Sequence, residues 1–207
     1  MPKWISEELA RVTPKKNLLT ATELLQSSAR AFASSKYGRA LSAAEEAKEL
    51  SPRDPTIREL IGLSAYRMGR WEQALRELRT FRRLTGDPTH LPVEMDVLRA
   101  LERPEDVESA WKMMREMRSD RETQDEARVV YGSFLLDRGE DHKAWQITSP
   151  RSLSAEPRES ELRVWYVAAR ASARLGDLPT AHQLLDAIRG TDPGFPGLDE
   201  LERAVEG

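Results

Sequence analysis

Pro55–Pro88 reads PTIRELIGLSAYRMGRWEQALRELRTFRRLTGDP, and the architecture of the whole chain can be worked out from it. Leu60, Ile61, Ser64, Ala65 and Met68 recur at helical spacing and predict one apolar stripe. Gly62 falls in the middle of that helix, where glycine costs about 1 kcal/mol relative to alanine. Close approach of a neighbouring helix is the physical reason to keep it. Gly69 ends the helix, and Trp71, Ala74, Leu75, Leu78 and Phe81 carry a second stripe up to the stop at Gly86-Asp87-Pro88. Two helices joined by so short a turn lie antiparallel. One hairpin cannot bury both stripes, so it must stack on something similar, and the sequence should repeat.

It does repeat. Ser35, Gly69, Glu102, Gly139 and Gly176 occupy equivalent turns, at steps of 34, 33, 37 and 37 residues. Five residues after each turn stand Ala40, Ala74, Val107, Ala144 and Ala181, which places a small side chain at one fixed helix crossing. Around these turns the stripes predict five helix pairs. The first pair runs from Leu18, with Leu24, Leu25, Ser28, Ala31 and Phe32 inward, and returns from Tyr37 to the Pro52/Pro55 stop. Leu91–Leu101 and a helix from Pro104 form the third, and Arg121–Arg138 with a short return helix ending at Ser149-Pro150 forms the fourth. After a Ser/Pro-rich loop over 148–157, Glu159–Leu175 and Leu178–Ile188 form the fifth. Before the array, Trp4–Val12 reads as a short amphipathic helix with Ser6 as its N-cap; after it, Leu198–Val205 reads as a capping helix.

The period and pattern resemble the tetratricopeptide repeat. In the second copy Gly62, Ala65, Gly69, Trp71, Ala74 and Leu78 stand where that family places small, small, small, aromatic, small and large residues. The first copy matches at Leu24, Tyr37, Ala40, Ala47 and Pro52, and the fifth at Trp165, Ala169, Gly176, Ala181 and Pro193. The third departs, with Glu102 and Pro104 for the turn glycine and the aromatic, and the fourth keeps Gly132, Gly139 and Ala144. The runs Ile57–Tyr66, Arg82–Gly86, Leu98–Glu105 and Leu162–Tyr166 are also similar to stand-alone repeat proteins of actinobacteria with no assigned activity. The resemblance implies an all-α fold: a right-handed superhelix, or solenoid, of about five helical hairpins with terminal capping helices. It implies segments 1–17 (short helix and linker), 18–195 (repeats 21–54, 55–88, 89–121, 122–157 and 158–195) and 196–207 (cap).

Composition narrows the function classes. The formal charge of −3 predicts no general attraction to nucleic acid or anionic membrane. With no cysteine there is no disulfide, thiolate nucleophile or Cys-ligated metal. No run has the length of a membrane span, and the first residues have no signal-peptide core, so a cytoplasmic location is expected. His90, His142 and His182 show no i, i+4 pairing and read as surface or helix-end groups. No phosphate-binding glycine loop or nucleophile elbow is present. No enzyme activity, cofactor or metal is expected.

In the resembled family the first helix of each pair lines the concave side. The resemblance therefore implies a groove of Leu63, Tyr66, Arg67, Asp96, Arg99, Ser133, Asp137, Tyr166, Arg170 and Arg174. Arginines there could hold carboxylates and tyrosines could anchor a guest, which implies a protein or peptide partner with acidic and apolar residues. The plainer reading is that these arginines pair with Glu59, Asp96 and Asp137 as an ordinary solvated surface. Co-chaperone members clamp a terminal carboxylate with Lys and Asn, but Leu25 and Ala29 stand at those places, so that function does not carry over. Arg76, Arg79, Arg82 and Arg83 form a second basic cluster beside Glu72 and Glu77. It reads either as a salt-bridged surface or as a nucleic-acid-associated site. A further alternative is self-association as a homodimer through Trp4, Ile5 or the end helix; otherwise the chain is a monomer.

Overall fold

A computed structural model describes residues 2–206; Met1 and Gly207, the outer ends of the expected N-terminal and capping segments, lie outside the described residues. Among the described residues there are twelve α-helices and one short 3-10 turn, with no β-strand. They are α1 Lys3–Val12, α2 Leu18–Ala33, α3 Tyr37–Leu50, α4 Pro55–Arg67, α5 Trp71–Thr85 and α6 Leu91–Ala100. Then follow α7 Pro104–Glu116, α8 Arg121–Asp137, α9 Asp141–Thr148, α10 Glu159–Arg174, α11 Leu178–Thr191 and α12 Leu198–Glu206. The N-cap of helix α1 lies about one turn earlier than expected: it is Pro2, and Ser6 lies inside the helix, donating its hydroxyl back to the Pro2 carbonyl.

The five turns share one geometry. Ser35, Gly69, Glu102, Gly139 and Gly176 all have positive φ, between 55° and 78°. In each, the next residue's N–H donates to the carbonyl five residues back: Lys36 to Ala31, Arg70 to Ala65, Arg103 to Leu98, Glu140 to Leu135 and Asp177 to Ser172, at 2.8–3.0 Å. This is the left-handed closure of a helix C-terminus, in which the orphaned carbonyls are satisfied within the turn. The chain then reverses, and the residue five beyond each turn meets the preceding helix. Ala40, Ala74, Val107, Ala144 and Ala181 are all fully buried.

Contacts group the chain into two compact units, Met1–Ala110 and Trp111–Gly207. In the first, Leu25, Leu41, Ala44, Ala47, Ile57 and Ile61 form a core, and α1 inserts Leu9 into it with no exposed area. Burying that side chain contributes about 1.5–3 kcal/mol, enough to hold a ten-residue helix that would not fold alone. A buried Thr13–Ser51 hydroxyl bond of 2.7 Å fixes the chain just after α1. In the second unit, Trp165, Ala169, Leu184 and Ile188 meet Leu198, Leu201 and Val205 of α12. The terminal helix thus covers the apolar end of the last hairpin. Trp111, Tyr131 and Phe134 stack in series, at 4.5 and 5.9 Å between centroids.

Candidate functional site

Two carboxylates in the first unit lie where a periodic pattern would place apolar residues. Glu77 sits between Ala74 and Phe81 on the buried side of α5 and has no exposed area. Arg58 of α4 donates to it at 2.6 Å, Lys48 of α3 at 2.9 Å and Arg76 at 3.3 Å. Burial alone would push Glu77 up, but the Arg58 and Lys48 hydrogen bonds outweigh it and hold the carboxyl below its ordinary range. Glu94 of α6, also buried, receives a two-pronged contact from Arg82 of α5 at 2.9 and 3.0 Å. In the second unit Asp125 of α8 plays the same part, accepting from Arg158 at 3.0 Å and from Ser160 of α10 at 3.2 Å. These carboxylates fasten one hairpin to the next. Sequence reading puts Glu77 in a salt-bridged surface beside the basic cluster; the available signal for its burial is the Ala74-Glu77-Phe81 spacing, an acid on an apolar stripe.

Two first helices of the hairpins, α4 and α6, carry the expected groove residues of the first unit: Leu63, Tyr66 and Arg67 on α4, Asp96 and Arg99 on α6. Tyr66 of α4 donates its hydroxyl to Asp96 of α6 at 2.8 Å, and Arg99 holds the other Asp96 oxygen at 3.0 Å. Burial and the Asp96 charge push the Tyr66 phenol up to about 12, so it remains a donor at any ordinary pH. Arg99 is therefore occupied by Asp96. Arg67 is exposed, makes no ion pair among the described residues, and lies 5.7 Å over the Tyr37 ring. Glu59 pairs with His90 at 2.7 Å rather than with an arginine.

Between α1, α2 and α4 lies an open apolar cavity of about 270 Å³. Ile5, Leu25, Ala29, Thr56 and Leu60 line it, with Gln26 and Arg30 at its edge. Thr56, Leu60, Leu63 and Arg67 are spaced by four, three and four residues, so they share one face of α4. Leu60, assigned to the core by its stripe, thus lines the cavity together with Leu25 and Ala29; the α4 spacing carried that signal. The rise of an α-helix puts Arg67 about 10 Å along the face from Leu60.

In the second unit, Ser133 and Asp137 stand on α8, and Tyr166, Arg170 and Arg174 on α10, which packs against α8. Arg174 is taken up by Asp141 at 2.9 Å and by the Leu136 carbonyl at 2.8 Å. Tyr166 is covered by the chain itself: Phe195 packs on its ring at 5.7 Å, and its hydroxyl lies 2.7 Å from where a Cβ on Gly197 would stand. Arg170 lies over that ring, 5.9 Å from its centroid. Ser133 is half-buried and Asp137 exposed. A polar cleft of about 740 Å³ lies against the 149–154 loop, and within it Arg128 pairs with Asp125 at 3.2 Å.

Among the described residues no three His, Asp or Glu side chains come together as metal ligands, and no helix is long and apolar enough to cross a membrane. No family model and no curated protein matches the sequence. Solved structures do. YrrB, described as a TPR protein with an unusual peptide-binding site, superposes with a TM-score of 0.57 at 16% identity, covering 87% of this chain and 90% of that one. The TPR domain of P58(IPK) gives a TM-score of 0.49 at 14% identity, over 91% of this chain and just over half, 56%, of that one. With the five identical turns, the likeness to YrrB establishes a fold of tetratricopeptide type.

Proposed function

We propose, from the tetratricopeptide fold shared with YrrB, that this protein is a non-catalytic scaffold that holds a partner peptide on the α2/α4/α6 face of its first unit. One observation carries the reading: an open apolar cavity lined by Leu60 and by an arginine free of carboxylates, Arg30, with a second such arginine, Arg67, about 10 Å from Leu60 along the same face of α4. An extended peptide advances about 3.3 Å per residue. A guest that seats a leucine-sized side chain between Leu25, Ala29 and Leu60 therefore brings the carboxylate three positions away to Arg67. Tyr66, Asp96 and Arg99 are already bonded to one another and act as a rigid wall of this surface. That YrrB is described as having a peptide-binding site supports a peptide as the class of guest.

The α8/α10 face of the second unit contributes less. Its Arg174 and Tyr166 are engaged within the chain, and Arg170 lies over the Tyr166 ring. Titrating fluorescent peptides that carry a leucine and a glutamate three apart, against the whole protein, tests the reading by polarisation. Micromolar binding is expected, with Arg67→Glu weakening it about tenfold and Leu60→Asp abolishing it. Binding that ignores both substitutions contradicts the proposal.

Self-association is a second reading, favoured by Trp4 and Leu19, which remain 64% and 72% exposed near the N-terminus. A single-chain mass by light scattering at micromolar concentration rules it out.

A further inference from the structure

On the other side of the second hairpin, Arg76, Arg79, Arg82 and Arg83 of α5 and Arg103 of the α6–α7 turn surround one cleft of about 400 Å³, with Glu72 and Leu75. We infer that this cleft is a binding site for a compact cluster of phosphate groups, separate from the peptide face.

The charge arrangement supports this. Glu77 is already matched by Arg58 and Lys48, so Arg76, whose side chain is 62% exposed, is surplus to it. Glu94 is matched by the two prongs of Arg82, and Arg79 reaches it only at 3.9 Å. Arg83 bonds to the Thr80 hydroxyl and to no carboxylate among the described residues. Arg103 pairs with Asp106, which does not line the cleft, at 2.6 Å. Glu72 is the one carboxylate among the cleft's lining residues. Arg76, Arg79 and Arg83 recur at i, i+3 and i+7, so their guanidinium groups converge from one helix face over about 10 Å. Planar forks of this kind match phosphate oxygens. The buried carboxylates hold the rest of the set in place, so the site is organised before any ligand arrives.

The cleft's size and lining choose among anions. Its volume is that of a small-molecule site. No aromatic ring lines it, so it has no platform on which successive bases of a single strand could stack. The chain's net charge of −3 also gives no extended basic track for a polymer. Adjacent phosphates on a soluble compound or on a lipid headgroup share the chemistry that fits.

Calorimetry of the whole 207-residue chain with inorganic tripolyphosphate at low salt tests the inference. Saturable one-site binding is expected, weakening as salt rises. The double variant Arg76→Gln/Arg83→Gln should lose about tenfold in affinity. It leaves Glu77 and Glu94 with their buried partners, so its unfolding temperature and its peptide binding should stay as in the parent. Competition by adenosine triphosphate would identify a soluble source. Capture on phosphatidylcholine vesicles only when they carry a bisphosphorylated inositol lipid would identify a membrane source. The inference is overturned by no saturable heat, by equal affinity in the double variant, or by a single-stranded oligoribonucleotide that binds with length-dependent affinity and is not displaced by tripolyphosphate.

Discussion

Gly62→Ala adds one methyl group at the closest crossing in the second hairpin. A Cβ there would stand 2.6 and 2.7 Å from the Leu78 Cδ2 and Cγ, and 3.3 Å from the Leu78 backbone nitrogen. Leu78 is itself fully buried, so its side chain has no open space to rotate into. Forcing a methyl group into a packed core costs about 1–3 kcal/mol. Helix propensity returns about 1 kcal/mol when glycine becomes alanine. The expected net effect is a loss of about 1 kcal/mol. Gly190, on α11, is the control: a Cβ there meets nothing within 4 Å, so the same substitution keeps only the propensity gain of up to about 1 kcal/mol. For a chain of this size 1 kcal/mol moves the unfolding temperature by about 2–4 °C. Thermal unfolding followed by circular dichroism should show Gly62→Ala falling and Gly190→Ala holding or rising. If Gly62→Ala were stabilised as much as Gly190→Ala, α4 and α5 would not cross at Gly62, and the packing argument for the hairpin would fail.

Three other outcomes are expected. Glu77→Gln leaves Arg58 and Lys48 facing a neutral amide in a buried place and should cost about 3 kcal/mol in denaturant titration at pH 7. Because the folded Glu77 carboxyl is held below its unfolded value, that contribution is present above the ordinary carboxylate range and fades as pH falls through the lowered one; a loss independent of pH contradicts it. Glu102 holds a left-handed φ of 55°, so Glu102→Gly should relieve about 1–2 kcal/mol of strain against about 0.4–1 kcal/mol of added unfolded-state freedom, a small rise in unfolding temperature. Asp54 caps α4 through the Ile57 N–H at 2.9 Å but is buried, and burial raises its carboxyl. Folded Asp54 binds protons that the unfolded chain releases, so its charge opposes folding above the raised value and not below the ordinary one. Asp54→Asn should therefore match or exceed the parent's stability at pH 7, with any advantage vanishing in acid, whereas Asp54→Ala loses the cap, about 1 kcal/mol.

The hairpins were legible because a turn is a local event. Ser35 and Glu102 could be placed beside three glycines by spacing alone, and they adopt the same left-handed geometry. The fully buried residues five positions on follow from that register. Burial at the rim was less legible. Met68 was expected inward and is 39% exposed, since it caps the C-terminus of α4 just before the turn at Gly69 and lies outside the packed helix. The partners of the buried carboxylates were not legible. Glu77 meets Lys48 across 29 residues and Arg58 across 19, and a pattern of polarity sees only a charged position. The candidate site divides in the same way. The resemblance puts Tyr66, Arg67 and Asp96 on first helices, and Tyr66 and Asp96 do meet there, hydroxyl to carboxylate. That Tyr166 is covered was hidden, because Phe195 and Gly197 lie in a nonperiodic segment before α12.

Backbone amide shifts of the labelled protein, recorded as a leucine/glutamate peptide is titrated in, report which surface takes the guest. Perturbations should centre on Ala29, Leu60, Leu63 and Arg67, and leave α5, α7 and α9 unmoved. Perturbations confined to those second helices, or a bound peptide that leaves α4 unchanged, would contradict the assignment of the first-helix face as the place where a partner is held.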